Sequence, residues 1–206
     1  MTESAASASV AAKAASLLLR YPDSEVLAAT QAIREAVTEL PASLAEPLGR
    51  VVVHRAATHH TALAAEYVAL FDMRRRCCLY LSYYTAGDTR NRGQELLRFA
   101  AAFRDAGYEV EGGELPDFLP AVLELAAHAG APGWALLRDH RVGLDLLAEA
   151  LEAEQSVYRY AVRAVLTMLP PPRAADRLAA ARLARTGPPQ EQVGMEPFAL
   201  HHGGRR

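Results

Sequence analysis

Two carboxylates three positions apart, Glu114 and Asp117, have the residue types that a general acid and a general base require. Pro116 lies between them and predicts the junction of a loop and a helix. A helix N-terminus stabilises the charged form of Asp117, whereas a general acid needs a raised pKa. No histidine or nucleophile lies within reach in the sequence. The pair therefore favours binding over catalysis, and we do not expect an enzyme.

The histidines and cysteines largely come in adjacent pairs, which suit neither a metal site nor a disulfide. His59 and His60 would project about 100° apart on a helix, so they cannot bind one ion from a single face. Cys77 and Cys78 open an apolar run, in which thiols usually act as small buried side chains. The motifs of phosphate-binding loops, dinucleotide-binding loops and zinc proteases are missing from the sequence. We therefore expect no stably bound metal or cofactor, and two reduced thiols favour a cytoplasmic location.

Charge is unevenly distributed along a chain of 206 residues whose formal net charge is only -2. Residues 109–154 hold ten acidic residues and two arginines, whereas residues 73–104 hold seven arginines and two acidic residues. Unless the two runs simply pair with each other, the acidic one should steer a basic partner toward it. The alternative is a helical DNA-binding regulator that uses the arginines of 73–104, with Tyr80, Tyr83 and Tyr84 as stacking groups. Because the acidic half would repel a phosphate backbone, we do not expect nucleic-acid binding.

Apolar residues recur with helical spacing almost throughout, and no stretch alternates apolar with polar residues as a half-buried strand would. One apolar series runs from Val26 to Leu40 behind a break at Pro22, with Asp23 and Ser24 as candidate N-caps. Glycine and proline breaks divide residues 8–169 into about eight or nine helices. The sequence therefore predicts an all-α fold.

The helices are expected to form one domain, residues 1–169, as a single compact bundle. After Leu169 the composition shifts to proline and arginine, so we expect an exposed helix from Ala174 to Arg185 within a largely mobile tail, 170–206. No apolar run is long enough to span a bilayer, and the first residues lack the pattern of a signal peptide. We expect a cytoplasmic protein that does not insert into a membrane and is a monomer when free.

Several stretches in a fixed order resemble one known family. They are Leu17-Leu18-Leu19-Arg20-Tyr21-Pro22, Glu66-Tyr67-Val68-Ala69-Leu70-Phe71-Asp72, Gly87-Asp88-Thr89-Arg90-Asn91-Arg92-Gly93 and Glu114-Leu115-Pro116-Asp117-Phe118-Leu119-Pro120. They are similar to the NarJ branch of the TorD/DmsD chaperones for molybdoenzymes, and the likeness covers about residues 10–169. The resemblance implies an all-helical, TorD-like fold and no catalysis by the protein itself.

The same resemblance implies a system-specific chaperone for a respiratory nitrate reductase. Such chaperones bind the N-terminal segment of the apo catalytic (alpha) subunit and delay its docking to the membrane subunit. They hold this client until it has received molybdenum cofactor, a molybdopterin guanine dinucleotide, and an iron–sulfur cluster. The family's leader-binding residues correspond here to Tyr67, Leu70, Phe71, Glu114 and Asp117. Phe118 stands where many members have histidine, which argues against guanine nucleotide binding.

Elementary physical chemistry gives a compatible mechanism, because a basic amphipathic helix needs an apolar groove with an acidic rim. The groove candidates are Leu70, Phe71, Phe118, Leu119 and Val122, and the rim candidates are Glu114, Asp117 and Glu124. Tyr67 is expected at the wet edge of the groove, with its hydroxyl toward water. Three or four buried anchors at about 1.5–3 kcal/mol each, offset by about 2–5 kcal/mol for ordering the peptide, predict micromolar to sub-micromolar binding. A cofactor-modifying enzyme is a third possibility.

Overall fold

The structure is a computed structural model that describes residues 2–87, 89–110 and 112–189, with side chains from residue 5 onward. The α-helices in these ranges are α1 (Thr2–Leu18), α2 (Ser24–Ala28), α3 (Thr30–Thr38), α4 (Ala42–Ala57), α5 (His60–Tyr67), α6 (Leu81–Ala86), α7 (Arg90–Asp105), α8 (Leu119–Ala129), α9 (Ala131–Asp139), α10 (Arg141–Ala153), α11 (Arg159–Met168) and α12 (Ala174–Thr186). A π-helix, Val68–Asp72, and a 3-10 turn, Arg75–Cys77, connect α5 to α6. The predicted all-α class is confirmed.

The predicted number of helices is too low, because eleven α-helices precede Leu169 in the described ranges. The apolar series from Val26 to Leu40 is shared by α2 and α3, which are interrupted at Ala29 without a glycine or proline. Of the two predicted caps, Asp23 is the N-cap of α2, since its carboxylate accepts a hydrogen bond from the Val26 amide at 2.8 Å, and Ser24 is the first residue of the helix. Short interruptions that keep the apolar face aligned do not change the periodicity, so the sequence pattern does not reveal them.

The centre of the fold is the contact between α1 and α8, the most extensive helix pair of the bundle. The small side chains of Ala11, Ala12 and Ala15 are fully buried and allow α1 to approach closely. Near the end of α1, the Ser16 hydroxyl donates a hydrogen bond to the Pro120 carbonyl at 2.8 Å. This bond fixes the first turn of α8 and the loop that leads into it.

The part of the chain after Leu169 contributes one described helix, α12, which lies on α10 and has no buried residue. The predicted exposed helix is thereby confirmed. Residues 190–206, which make up the rest of the predicted tail, lie outside the described ranges, and the domain boundary at residue 169 stays a prediction. Of the helices that the structure describes, none has both the length and the apolar character needed to cross a membrane.

Candidate functional site

Two neighbouring cavities share the side chains of Arg20, Glu114 and Phe118, and we call the pair the Glu114 cleft. The aromatic cavity, about 310 Å³, is completed by Tyr21, Asp23, Tyr67, Phe71, Asp72, Leu79 and Tyr80. The α8 cavity, about 660 Å³, is completed by Glu25, Phe103, Tyr108, Glu109, Val110, Gly112, Pro120, Ala121, Glu124, Leu125 and His128. Together they have the volume to hold several side chains of another molecule.

The π-helix at 68–72 forms one wall of the aromatic cavity. A π-helix holds more residues per turn than an α-helix, and Leu70 and Phe71 are both buried here at 7% exposure. The Phe71 ring packs on Tyr67 with 4.7 Å between ring centroids, and Tyr67 meets Tyr21 edge-on at 5.5 Å. Short π-helical segments are frequent at functional sites, so this irregularity independently marks the same region.

Tyr67 presents its ring to the cavity rather than its hydroxyl. The hydroxyl donates a hydrogen bond to the Leu19 carbonyl at 3.1 Å, and the residue is only 5% exposed. Burial, with a further contribution from the Asp72 carboxylate, raises the pKa of Tyr67 well above its usual value. The predicted wet-edge position of the hydroxyl is therefore wrong, because the group secures the chain just after α1.

Glu114 is held in place at the wall between the two cavities. Its Oε1 atom accepts a hydrogen bond from the Tyr80 hydroxyl at 2.8 Å and another from the Leu115 amide at 2.9 Å. The Tyr80 ring also packs against Phe118, with 5.4 Å between ring centroids. Burial and the bond to Glu114 raise the pKa of Tyr80, so this hydroxyl remains a donor at physiological pH. The carboxylate thus has a fixed position in the cleft.

Asp117 does not lie on the rim, because its side chain is fully buried. Its Oδ2 atom accepts hydrogen bonds from the Ser82 amide at 3.1 Å and the Ser82 hydroxyl at 2.5 Å, and the Arg92 guanidinium lies 3.9 Å away. The helix whose N-terminus it stabilises is α6 and not the following α8. Backbone bonds join the same segments, from Leu81 to Asp117 at 2.9 Å and from Leu119 to Leu79 at 2.8 Å. Asp117 therefore positions the corner at 114–118.

The remaining predicted groove and rim residues separate into two groups. Leu119 and Val122 are completely buried, and Leu70 lines neither cavity. Phe71 and Phe118 line the cleft, as do Glu114 and Glu124. A groove residue must contact its ligand, so only the residues that line the cleft remain candidates. The other three belong to the core that supports it.

The acidic lining of the cleft comes from several parts of the chain. The carboxylates are those of Asp23, Glu25, Asp72, Glu109, Glu114 and Glu124. Half of these precede the acidic run at 109–154, so the run alone does not form the rim. Elsewhere the two charged runs contact each other, since Glu154 forms an ion pair with Arg74. The predicted opposition of two surfaces is therefore only partial.

Sequence reasoning missed Arg20, Tyr21, Asp23, Asp72 and Tyr80 as lining residues. The available signals were two motifs, Leu17–Pro22, which contains Arg20 and Tyr21, and Glu66–Asp72, which ends with Asp72. The other residues reach the site through tertiary contacts that no local pattern shows.

The family model of the nitrate reductase delta subunit matches residues 27–163. The chain belongs to this family. The match confirms the resemblance to NarJ-type proteins, and its range includes the π-helix and the corner at 114–118. It begins after Arg20 and ends before α12.

Individual relatives of the delta subunit family are similar over most of this chain. It is 41% identical over 152 residues to the nitrate reductase-like protein NarX of Mycobacterium tuberculosis, covering 73% of this chain and 23% of NarX. It is 30% identical to the probable nitrate reductase molybdenum cofactor assembly chaperone NarJ of Bacillus subtilis, covering 76% of this chain and 86% of that protein. It is 33% identical to the nitrate reductase molybdenum cofactor assembly chaperone NarJ of Escherichia coli K12, covering 71% of this chain and 63% of that protein. The chain thus spans under a quarter of NarX.

Neither metal nor thiol chemistry is visible in the described part of this family member. There, no group of three or more His, Cys, Asp or Glu side chains could hold a metal ion. Cys77 and Cys78 form no disulfide. Burial raises the pKa of the Cys77 thiol to about 11, which makes it unreactive at neutral pH. The prediction that both thiols pack in the core is confirmed for Cys77, whereas Cys78 is only half-buried.

Proposed function

We propose that this protein is an assembly chaperone for a respiratory nitrate reductase. It binds the N-terminal segment of the apo catalytic subunit in the Glu114 cleft and holds that subunit while molybdenum cofactor is inserted, before membrane docking. The cofactor and the iron–sulfur cluster belong to the client, and the chaperone itself performs no catalysis. It acts in the cytoplasm, as a monomer when free.

The observation that carries this proposal is the combination of aromatic and acidic side chains in the cleft. Phe71, Phe118 and the Tyr67 ring offer apolar surface for a partner's anchors, while Glu114 is fixed beside them. A peptide with apolar anchors and basic flanks complements such a surface. The names of the NarJ relatives support nitrate reductase as the client.

Moderate affinity suits this role, because a chaperone must release its client. Three anchors buried at about 1.5–3 kcal/mol each exceed the ordering cost of the peptide by only a few kcal/mol, whereas a micromolar dissociation constant corresponds to about 8 kcal/mol. Ionic contacts between basic flanks of the peptide and the acidic lining must supply the rest, so the dissociation constant should increase with salt.

The proposal is tested by calorimetric titration of the full chain with a synthetic peptide of the client's N-terminal segment. A scrambled peptide of the same composition is the matched control. We expect saturable binding of the native peptide and at least about tenfold weaker binding of the scrambled one, a difference of about 1.4 kcal/mol. Absence of saturable binding, or equal binding of both peptides, would contradict the proposal.

The DNA-binding alternative has less support, because parts of the arginine run are engaged within the protein. Arg74 pairs with Glu154, and Arg92 lies 3.9 Å from the Asp117 carboxylate. We expect no gel shift of random duplex DNA at moderate salt. A shift that weakens steeply with added salt would favour the regulator instead.

A further inference from the structure

Arg20 is a half-buried cation at the boundary between the two cavities of the Glu114 cleft. The cleft is otherwise lined by six carboxylates, yet no described residue forms a hydrogen bond or an ion pair with Arg20. The other basic groups nearby are engaged: Lys13 pairs with Glu124, and the His128 ring lies 3.7 Å from the same carboxylate. Among the cations at the cleft, Arg20 is thus the one whose charge is not paired with a described carboxylate.

A structural role at the end of α1 does not account for this arginine. Arginines near a helix C-terminus often bind the last carbonyl oxygens. Here Arg55 does so, because its guanidinium donates to the Leu17 and Leu18 carbonyls at 3.1 and 2.9 Å. The next carbonyl, of Leu19, accepts the Tyr67 hydroxyl. The last carbonyl groups of this segment, those of Leu17, Leu18 and Leu19, therefore already accept side-chain hydrogen bonds from Arg55 and Tyr67.

We propose that Arg20 is a specificity-determining residue that binds a carboxylate side chain of the client segment at the boundary between the two cavities. This rests on the proposed function, since it assigns one position of the peptide bound in the same cleft. A guanidinium forms short, paired hydrogen bonds with a carboxylate, and a half-buried site strengthens them. Arg20 also repels a lysine or arginine at that point, so it discriminates against wrong registers as well as favouring the right one.

The resulting recognition pattern is specific. The acidic lining attracts a client with basic residues, but Arg20 requires one aspartate or glutamate between the apolar anchors that enter the two cavities. A uniformly basic amphipathic helix would place a cation against Arg20 in every register. The arrangement thereby fixes which anchor enters the aromatic cavity and which enters the α8 cavity.

The test is a charge-exchange experiment with the full chain and the client's N-terminal peptide. Each Asp and Glu of the peptide is changed singly to Asn or Gln and, separately, to Lys. The proteins are the natural chain, Arg20→Gln, Arg20→Glu and the control Arg177→Gln, which alters an exposed arginine on α12. Unfolding temperatures and circular dichroism confirm that each variant is folded.

We expect Arg20→Gln to weaken the binding of the native peptide about tenfold. The same variant should not change the affinity for the peptide that lacks one particular carboxylate. Arg20→Glu should bind the Lys form of that peptide better than the native form. Arg177→Gln should bind all peptides as the natural chain does.

If Arg20→Gln weakens the binding of every peptide equally, Arg20 only balances the charge of the cleft and the inference is wrong, while the proposed function stands. A client segment without any carboxylate would also overturn the inference, and no binding to any protein would overturn the proposed function.

Discussion

The Glu114 cleft differs from a second groove in the described part of the chain in the kind of side chains that line it. That groove, of about 510 Å³, lies between α3 and α4, and we call it the α3/α4 groove. Its lining residues are Arg34, Val37, Thr38, Ala45, Gly49, Val52, Val53, Ala56 and Ala57. It is larger than the aromatic cavity, and its walls are two regular helices with small side chains.

The comparison shows that apolar volume alone does not define a recognition site. Two packed helices with small facing side chains leave a groove between them whether or not a ligand binds there. The cleft instead has aromatic rings on a π-helix, a carboxylate held by two hydrogen bonds, and a cation without a partner among the described residues. These features constrain what can bind, and each can be removed separately.

The largest effect should come from the buried support of the cleft. We expect Asp117→Ala to lower the free energy of unfolding by about 3 kcal/mol, because it removes the buried acceptor of the Ser82 amide and hydroxyl and the carboxylate beside Arg92. Ser82→Ala should lower the free energy of unfolding by about 1 kcal/mol. Asp139→Ala, at an exposed position, should lower it by less than about 0.5 kcal/mol. Urea denaturation measures all three. A loss below about 1 kcal/mol for Asp117→Ala would mean that the corner is held by other contacts.

The two grooves can be separated by truncating one apolar side chain in each. Phe118→Ala removes a ring shared by both cavities and should weaken peptide binding about thirtyfold, or about 2 kcal/mol. Val53→Ala shortens a side chain that is 64% exposed in the α3/α4 groove and should leave affinity within about twofold. Calorimetry on folded variants gives both values. The reverse ranking would move the binding site to the α3/α4 groove.

A smaller effect is expected from the charge at the wall of the cleft. Glu114→Gln keeps the shape of the side chain but removes its charge. It should weaken peptide binding about fivefold, or about 1 kcal/mol. The salt dependence of binding should also become shallower. Glu46→Gln, on the exposed side of α4, is the matched control and should change neither quantity. Identical behaviour of the two variants would show that Glu114 does not contact the client.

The smallest effect on binding should come from filling the α3/α4 groove. A Cβ atom built on Gly49 meets nothing within 4 Å, so the first side-chain atom of Gly49→Leu has open space. Leucine is also a better helix former than glycine, and stability should increase by up to about 1 kcal/mol. Peptide affinity should not change. Loss of binding in this folded variant would show that the α3/α4 groove takes part in recognition.

The sequence predicted the fold class well but the site only in part, for physical reasons that differ between residues. Helical periodicity is local, so it identified the helical character of the chain, although it could not show the interruption at Ala29. The role of Asp117 depends on Ser82, 35 positions away, and no local pattern specifies that bond. The position of Arg20 likewise follows from how the end of α1 meets the corner at 114–118. Residue types suggested an acidic, apolar site, whereas tertiary contacts decided which residues face it.

Photo-crosslinking locates the client most directly. A client peptide that carries a photoreactive phenylalanine at one apolar anchor is irradiated with the full chain, and the crosslinked residues are identified by mass spectrometry. Crosslinks within residues 20–25, 67–73 and 108–121 that disappear with excess unlabelled peptide are the predicted result. Competed crosslinks confined to residues 34–57 would contradict the assignment of the Glu114 cleft as the binding site.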